Sequence, residues 1–201
     1  MQAYAASRRR VFLVNNIIDS IKIEECENIY EPREDSYLLA DAVNHYAEGN
    51  VLDMGTGTGI QGIIAAKKGC NVTFADINPK AITCAEHNAK AKGVNGQFII
   101  TDMFSKITDK YNTIIFNPPY LDDVTDLTKG ANISLDGGSD GRKYIDILLN
   151  NFKKYVKTKY NILLLESSIN KYQIDIDKYN AEVVASKRIF FEEMVVLRIG
   201  V

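Results

Sequence analysis

The chain has 201 residues, enough to close one hydrophobic core and few for two, with 46% hydrophobic and 25% charged residues, the balance of an ordinary globular protein. Its 24 lysines and arginines stand against 26 aspartates and glutamates, and a formal charge of -2 supplies no basic footprint for a long nucleic acid. No apolar run reaches bilayer length, and the stretch after Arg8, Arg9 and Arg10 is broken by Asn15, Asn16 and Asp19, unlike a secretory signal. A cytoplasmic protein with no membrane contact is the default expectation. Cys26, Cys70 and Cys84 are odd in number and lack the paired spacing of a zinc site, so reduced, packed thiols and no metal are expected. His45 and His87 stand alone and are assigned surface positions without chemistry.

One domain over 1–201 is expected, with an N-terminal segment and helix over 1–48 and a sheet core ending in a hairpin over 49–201. A helix between about 33 and 47 places Leu38, Leu39, Ala42, Val43 and Tyr46 on one face, with Glu34 and Asp35 near its positive end. From residue 50 onward, short runs rich in β-branched residues alternate with stretches of helical periodicity, the pattern of a parallel sheet covered on both faces. Strands are predicted at 50–54, 71–75, 97–100, 111–116 and 160–165. Asn78 and Pro79 form a strong helix start, cap and first position, and Ile82, Ala85 and Ala89 give that helix, about 79–92, its buried stripe. Another helix, about 142–156, carries Ile145, Leu148, Leu149, Phe152 and Val156 at helical spacing. Residues 182–189 and 194–200 read as two strands joined by a tight link around Phe191 to Glu193, too short for a crossover helix and therefore a hairpin. The sum is an α/β fold with a seven-stranded, mostly parallel sheet, one antiparallel strand, and helices on both faces.

The strand from Val51 to Met54 runs into Gly55-Thr56-Gly57-Thr58-Gly59 and then a helix. Glycines suit a turn where a ligand approaches the backbone. A dinucleotide fingerprint would need a glycine or alanine where Ile60 stands, so a nicotinamide cofactor fails on spacing. Asp53 at the strand end would repel a pyrophosphate and fits a ligand bearing an ammonium group, such as S-adenosylmethionine. Asp76, ending the second strand, can accept hydrogen bonds from two ribose hydroxyls. Asp102, after the third strand, can accept from an adenine amino group, with Met103 and Phe104 flanking the ring. Acids at three successive strand ends lie where open α/β sheets bind ligands.

The fourth strand ends in Asn117-Pro118-Pro119-Tyr120. The prolines fix the backbone and remove two donors, leaving the Pro118 carbonyl and the Asn117 side-chain oxygen as acceptors for a substrate NH2, with Tyr120 stacked on its plane. This predicts methylation of a planar nitrogen. It leaves protein and nucleic acid both open.

These residues, with Asp76-Ile77-Asn78-Pro79, resemble the HemK/PrmC-type methyltransferases that modify a protein glutamine, built on the Rossmann-like class I methyltransferase fold. Tyr30-Glu31-Pro32-Arg33-Glu34-Asp35-Ser36 resembles the segment of the short archaeal and eukaryotic branch, and 135–142 the family's glycine loop. Only some thirty residues precede Tyr30, where bacterial members carry a helical substrate-recognition domain. The resemblance implies S-adenosylmethionine as cofactor, with Ser36, Asp53, Gly55, Thr56, Gly57, Gly59, Asp76, Ile77, Asp102, Met103 and Asn117 at cofactor-contacting positions and Asn117 to Tyr120 as the substrate motif. Asp53 departs from the glutamate common in eukaryotic members and keeps its charge. The implied substrate is the glutamine of the GGQ motif in a class I translation termination factor. The implied partner is a small zinc-ribbon subunit pairing with the sheet edge at Gln97 to Thr101. The competing readings are an adenine N6-methyltransferase of DNA or RNA, a protein lysine methyltransferase, and a silent cofactor-binding scaffold. The first would call for a basic groove or a target-recognition domain, and neither is visible.

Overall fold

The computed structural model describes residue 21 and residues 23–119, 141–189 and 191–200. Its elements are α1 (Glu34–Tyr46), β1 (Asn50–Met54), α2 (Ile60–Lys67), β2 (Asn71–Asp76), α3 (Pro79–Ala91), β3 (Gln97–Ile100), β4 (Tyr111–Phe116), α4 (Lys143–Asn151), β5 (Val156–Ser167), α5 (Gln173–Tyr179), β6 (Glu182–Ile189) and β7 (Glu192–Gly200). The sheet has seven strands in the order β3-β2-β1-β4-β5-β7-β6. Strands β1 to β5 pair in parallel, and β7 runs antiparallel between β5 and β6. Strand order therefore reverses at β1, between β2 on one side and β4 on the other, and a crevice opens beyond the strand ends at such a switch point.

Both faces of the sheet are covered, which is why its central strands read as continuous apolar runs. Alternate residues go to opposite layers. Val51, Ile115, Leu163, Leu165 and Val196 pack with Leu39, Val43, Ile63 and Ala85 from α1, α2 and α3. Leu52, Met54, Ile114, Phe116, Ile162 and Leu164 pack with Ile145, Leu148, Leu149 and Phe152 on the other side. Helix α3 starts as its sequence dictates: the Asn78 side chain accepts from the Lys80 amide, and Pro79 takes the first position. Helix α1 lies against α2, and the Lys68 ammonium donates to the carbonyls of Val43 and Ala47 at its C-terminal end.

The elements differ from the sequence reading at several places. Strand β7 begins at Glu192 and not at 194, because Glu192 and Glu193, read as the link, already pair with Ile189 and Arg188 of β6. The helix expected over 142–156 is α4 plus a 3-10 turn, Phe152–Lys154, and Val156 opens β5. Phe152 and Val156 keep their apolar spacing because strand and turn bury the same layer. Strand β5 runs from Val156 to Ser167, longer than 160–165, since its early residues Lys157, Thr158 and Lys159 are polar and exposed and carry no burial signal. The short α5 has no counterpart in the sequence reading. Two isoleucines and a tyrosine among charged residues give it little periodicity, and Asn180 in the left-handed conformation ends it.

The cysteines correct a further expectation. Cys26 and Cys84 form a disulfide, with Cα atoms 6.1 Å apart, and only Cys70 is free. Their 58-residue separation hid the pairing, because α3 brings Cys84 under the N-terminal segment only after the sheet has formed. Asn88 fastens the same segment. Its amide nitrogen donates to the carbonyls of Glu24 and Thr58, and its oxygen accepts from the Glu24 amide. His87 pairs with Glu24 and His45 contacts the Asp41 carbonyl, both on the exposed faces of their helices. Among the described residues no helix is long and apolar enough to cross a membrane.

Reduction of the bridge is expected to lower the melting temperature by about 5–15 °C, the size of a typical crosslink in a chain of this length. A Cys26→Ser/Cys84→Ser variant should melt at the reduced temperature and ignore reductant. A wild-type melting curve indifferent to reductant would show that the bridge contributes nothing to stability.

Candidate active site

A cleft of about 620 Å³ opens at the C-terminal ends of β1, β2 and β4. Its floor is the glycine turn, and one wall is the segment from Asn28 to Ser36. The lining includes Ser36, Asp53, Gly55, Thr56, Gly57, Asp76, Ile77, Asp102, Met103 and Asn117, so the structure gathers almost the whole predicted set in one place. Gly59 is not part of the lining. It starts α2 in the left-handed conformation at φ 87°, and a Cβ there would come within 3.1 Å of Ala85 on α3, so this glycine serves helix packing. Gly57, at φ 55°, has open space where a Cβ would point, leaving its backbone accessible from the cleft.

The turn is held by two carboxylates from below. One Asp53 oxygen accepts from the Thr56 hydroxyl at 2.6 Å and the Gly62 amide at 2.9 Å, tying the end of β1 to both sides of the turn. Asp76 accepts from the Gly57 amide at 3.0 Å through one oxygen and from the Asn78 amide at 2.9 Å through the other. Asp53 is 2% exposed. Burial pushes its carboxyl up to about 7; the Thr56 and Gly62 hydrogen bonds pull the other way, and nearby Asp76 adds a smaller push. Burial also raises the Asp76 carboxyl, against backbone amides that hold it down. Both acids are therefore poised to gain from a cationic or hydrogen-bonding ligand.

After β3 the backbone turns sharply, and Met103 takes a left-handed φ of 44°. The Thr101 hydroxyl holds this turn, contacting the Met103 carbonyl and Ser105 and accepting from the Lys106 amide. Asp102 is exposed at the rim and Met103 lines the cleft. Phe104 does not flank it. Its ring stacks on Tyr155 at 4.3 Å within the core, because the left-handed turn sends successive side chains to opposite sides.

At the end of β4, Asn117 donates from its amide nitrogen to Asp35 at 3.2 Å. Its side-chain oxygen is buried and has no hydrogen-bond partner among the described residues. Pro118 and Pro119 line the cleft beside it, whereas Tyr120 and the glycine loop over 130–140 lie outside the described residues. Of that loop's end, Arg142 is pinned at the start of α4. Its guanidinium donates to both Asp175 oxygens, to Asp146 and to the Asn170 carbonyl, 3.6 Å from the buried Glu166. Burial and the nearby Asp175 push the Glu166 carboxyl up, against the pull of the Arg142 guanidinium.

Three cleft residues have no contact assigned to them in the sequence reading. Tyr30 and Asp35 belong to the Tyr30 to Ser36 segment singled out by resemblance, where Asp35 reads only as a helix-start acid and Tyr30 has no role, and Gln61 carries no signal beyond its helix. Gln61 is 4% exposed; its amide nitrogen donates to the Ser36 carbonyl at 2.8 Å, and its oxygen is buried with no partner among the described residues. Two orphaned acceptors beside one cleft, with acids at the strand ends, suit a ligand rich in N–H and O–H donors.

A seven-stranded sheet of this order, with its glycine turn and acids around one cleft, defines a class I methyltransferase. The family described as "Methyltransferase small domain" matches residues 33–135. The chain is 36% identical over 188 residues to the "Putative protein N5-glutamine methyltransferase" of Methanocaldococcus jannaschii, covering 90% of this chain and 95% of that one. It is 33% identical over 106 residues to the release factor glutamine methyltransferase of Lactococcus lactis, covering 50% of this chain and 39% of that one. The chain thus spans well under half of the lactococcal protein. The fold is also that of the Thermus thermophilus 16S rRNA N2 G1207 methyltransferase, solved with AdoMet and guanosine, with a TM-score of 0.60 at 14% identity over 83% of this chain and 43% of that one. The chain belongs to the methyltransferase small domain family, among its HemK-type protein glutamine methyltransferases.

The unfolded chain holds the Asp53 proton with an ordinary value of 3.8, and the folded protein holds it more tightly. Its stabilising contribution is therefore full below pH about 4 and drains away as the pH rises to about 7. Asp53→Asn should flatten the loss of stability between about pH 4 and pH 7, read by denaturant unfolding of the ligand-free protein at a series of pH values. Equal slopes for wild type and variant would mean that Asp53 ionises normally.

Proposed function

We propose that this chain, a single methyltransferase domain over 1–201, transfers a methyl group from S-adenosylmethionine to the side-chain amide of a protein glutamine, that of the GGQ motif in a class I translation termination factor. The observation that carries this reading is the buried, unpartnered Asn117 oxygen, an acceptor placed at the cleft by an amide whose nitrogen is already engaged. The relatives named for glutamine methylation support the substrate class. The cytoplasm, where translation runs, is the corresponding compartment. A Cys26–Cys84 bridge is unusual there outside hyperthermophiles.

The cleft suits the cofactor by its chemistry. Asp53 would offer a carboxylate to an ammonium group, Asp76 would accept from two hydroxyls, Asp102 with Met103 and Ile77 would hold the adenine end, and Ser36 and the Gly55 to Gly57 backbone would frame the rest. When bound, the cofactor supplies a methyl group on a sulfonium, an electrophile that needs no activation. An amide nitrogen is a poor nucleophile because its lone pair is delocalised into the carbonyl. Alignment must therefore do most of the work, and it can be worth roughly 7–11 kcal/mol. The Asn117 oxygen and the Pro118 carbonyl would hold the two amide hydrogens and turn the nitrogen toward the methyl group, while Tyr120 would stack on the amide plane. The N–CH3 bond would form as the S–CH3 bond breaks and leaves a neutral thioether; positive charge grows on nitrogen meanwhile, both acceptors favour it, and one amide hydrogen would then pass to solvent as a proton.

Incubation of the protein and labelled cofactor with a termination factor, and in parallel with DNA and RNA, should label only the glutamine of the termination factor. Asn117→Ala should lower turnover by at least about a hundredfold, the scale of one hydrogen bond made in the transition state, with a much smaller change in cofactor affinity. Label in nucleic acid alone, or equal losses of turnover and affinity, would overturn the assignment.

A partner subunit fits the sheet edge. Strand β3 lies at one end of the sheet, and its last residue, Ile100, is 44% exposed. An open apolar edge is a liability unless it is paired. A small zinc-ribbon subunit adding a strand there would cover it. Co-expression with such a subunit should raise solubility and activity together, and a chain that is soluble, monomeric and fully active alone would rule the partner out.

A further inference from the structure

Asp35 sits in the first turn of α1, 82 positions before Asn117 in sequence and 3% exposed. Three described side chains contact it, and all of them donate. The Tyr30 hydroxyl donates to Oδ1 at 3.0 Å, the Ser36 hydroxyl to the same oxygen at 3.4 Å, and the Asn117 amide nitrogen to Oδ2 at 3.2 Å. An ionised carboxylate has no hydrogen to give. Of the two ways to seat the Asn117 amide, only the one with nitrogen toward Asp35 makes a bond. The other would set oxygen against oxygen. The bonded orientation leaves the Asn117 oxygen buried with no partner among the described residues, an acceptor kept for whatever enters the cleft.

We infer that Asp35 is the positioning residue of this site: by accepting from the Asn117 nitrogen it fixes which end of that amide faces the substrate, and so restricts the substrate to a group that presents an N–H donor. The inference rests on the proposed methyl transfer for its consequence in catalysis, but the orientation itself is a property of the free protein. It also gives the segment from Tyr30 to Ser36 a second task. Besides walling the cleft, it carries the group that orients the substrate's acceptor, through a helix start that Tyr30 braces.

An exchange of the two partners tests this. In Asp35→Asn, either end of the Asn117 amide finds a mate, the orientation is no longer enforced, and kcat should fall about ten- to a hundredfold, the equivalent of 1–3 kcal/mol. Asn117→Asp places two carboxylates face to face and should be at least as impaired. The double variant Asp35→Asn/Asn117→Asp restores a donor facing an acceptor, with the second oxygen of residue 117 again free to accept. It should recover at least about tenfold over Asn117→Asp alone. A residue that merely supports the fold would not be rescued by this reversal. No recovery in a double variant that melts like the wild type would overturn the inference, as would a kcat for Asp35→Asn within about twofold of wild type.

A second reading needs no substrate. In the 15N spectrum of the wild type, the Asn117 side-chain NH2 signals, assigned within the wild type by through-bond correlation to the Asn117 β protons, should exchange slowly with solvent. In Asp35→Asn they should shift and exchange faster. Wild-type signals that exchange like those of an exposed asparagine would refute the orientation even if every variant failed to fold. A wild type that labels no termination factor would overturn the substrate reading, and the spectrum would still decide the role of Asp35.

Discussion

The hold of Asp53 and Asp76 on the glycine turn is the constraint from which the rest of the site follows. A turn built on left-handed glycines has little intrinsic preference for one shape, and here two carboxylates impose it, one from the end of β1 and the other from the end of β2. Because β1 and β2 are parallel and in register from Asn50 to Met54, their acids arrive at the same edge of the sheet. Fixing the turn this way buries Asp53, and burial in turn makes its carboxyl sensitive to whatever positive charge enters the cleft. The group that shapes the turn is thus also the one on which the proposed cofactor's ammonium would act.

The opposite wall of the cleft is made by chain that the sheet does not hold. Residues 23–33 contribute no strand, yet they are anchored by the Cys26–Cys84 bridge, by two hydrogen bonds between Glu24 and Asn88, and by the contact of Tyr30 with Asp35. Asn88 joins this segment to the glycine turn through the Thr58 carbonyl, so floor and wall share a fastening on α3. The acceptor at Asn117 then depends on both. Strand β4 delivers it to the edge beside β1, and α1 delivers the carboxylate that orients it.

Much of the fold was legible because the central strands are buried on both faces and therefore uniformly apolar, while the helices carry one apolar stripe. Asn78 and Pro79 announced the start of α3, and the hairpin of β6 and β7 followed from a link too short for a helix. The errors fall where burial and periodicity part company. The end of α4 passes through a 3-10 turn into β5 without interrupting the apolar spacing, and the exposed start of β5 shows no pattern at all. Phe104 looked like a partner of Met103 for a bound ring, but a single left-handed residue reversed its direction into the core.

The order of residues along the chain determined the class of fold, the glycine turn with its acids, and the Asn-Pro-Pro motif at the end of a strand, because each is local or repeats with the period of a helix or strand. Tertiary structure alone decided the pairing of Cys26 with Cys84, the joining of Asn88 to the N-terminal segment, and the bond from Asn117 to Asp35. Each spans tens of residues between elements that meet only when helices pack on the sheet, and a carboxylate near a helix start has the same local signature whether it faces solvent or orients an amide in a buried cleft.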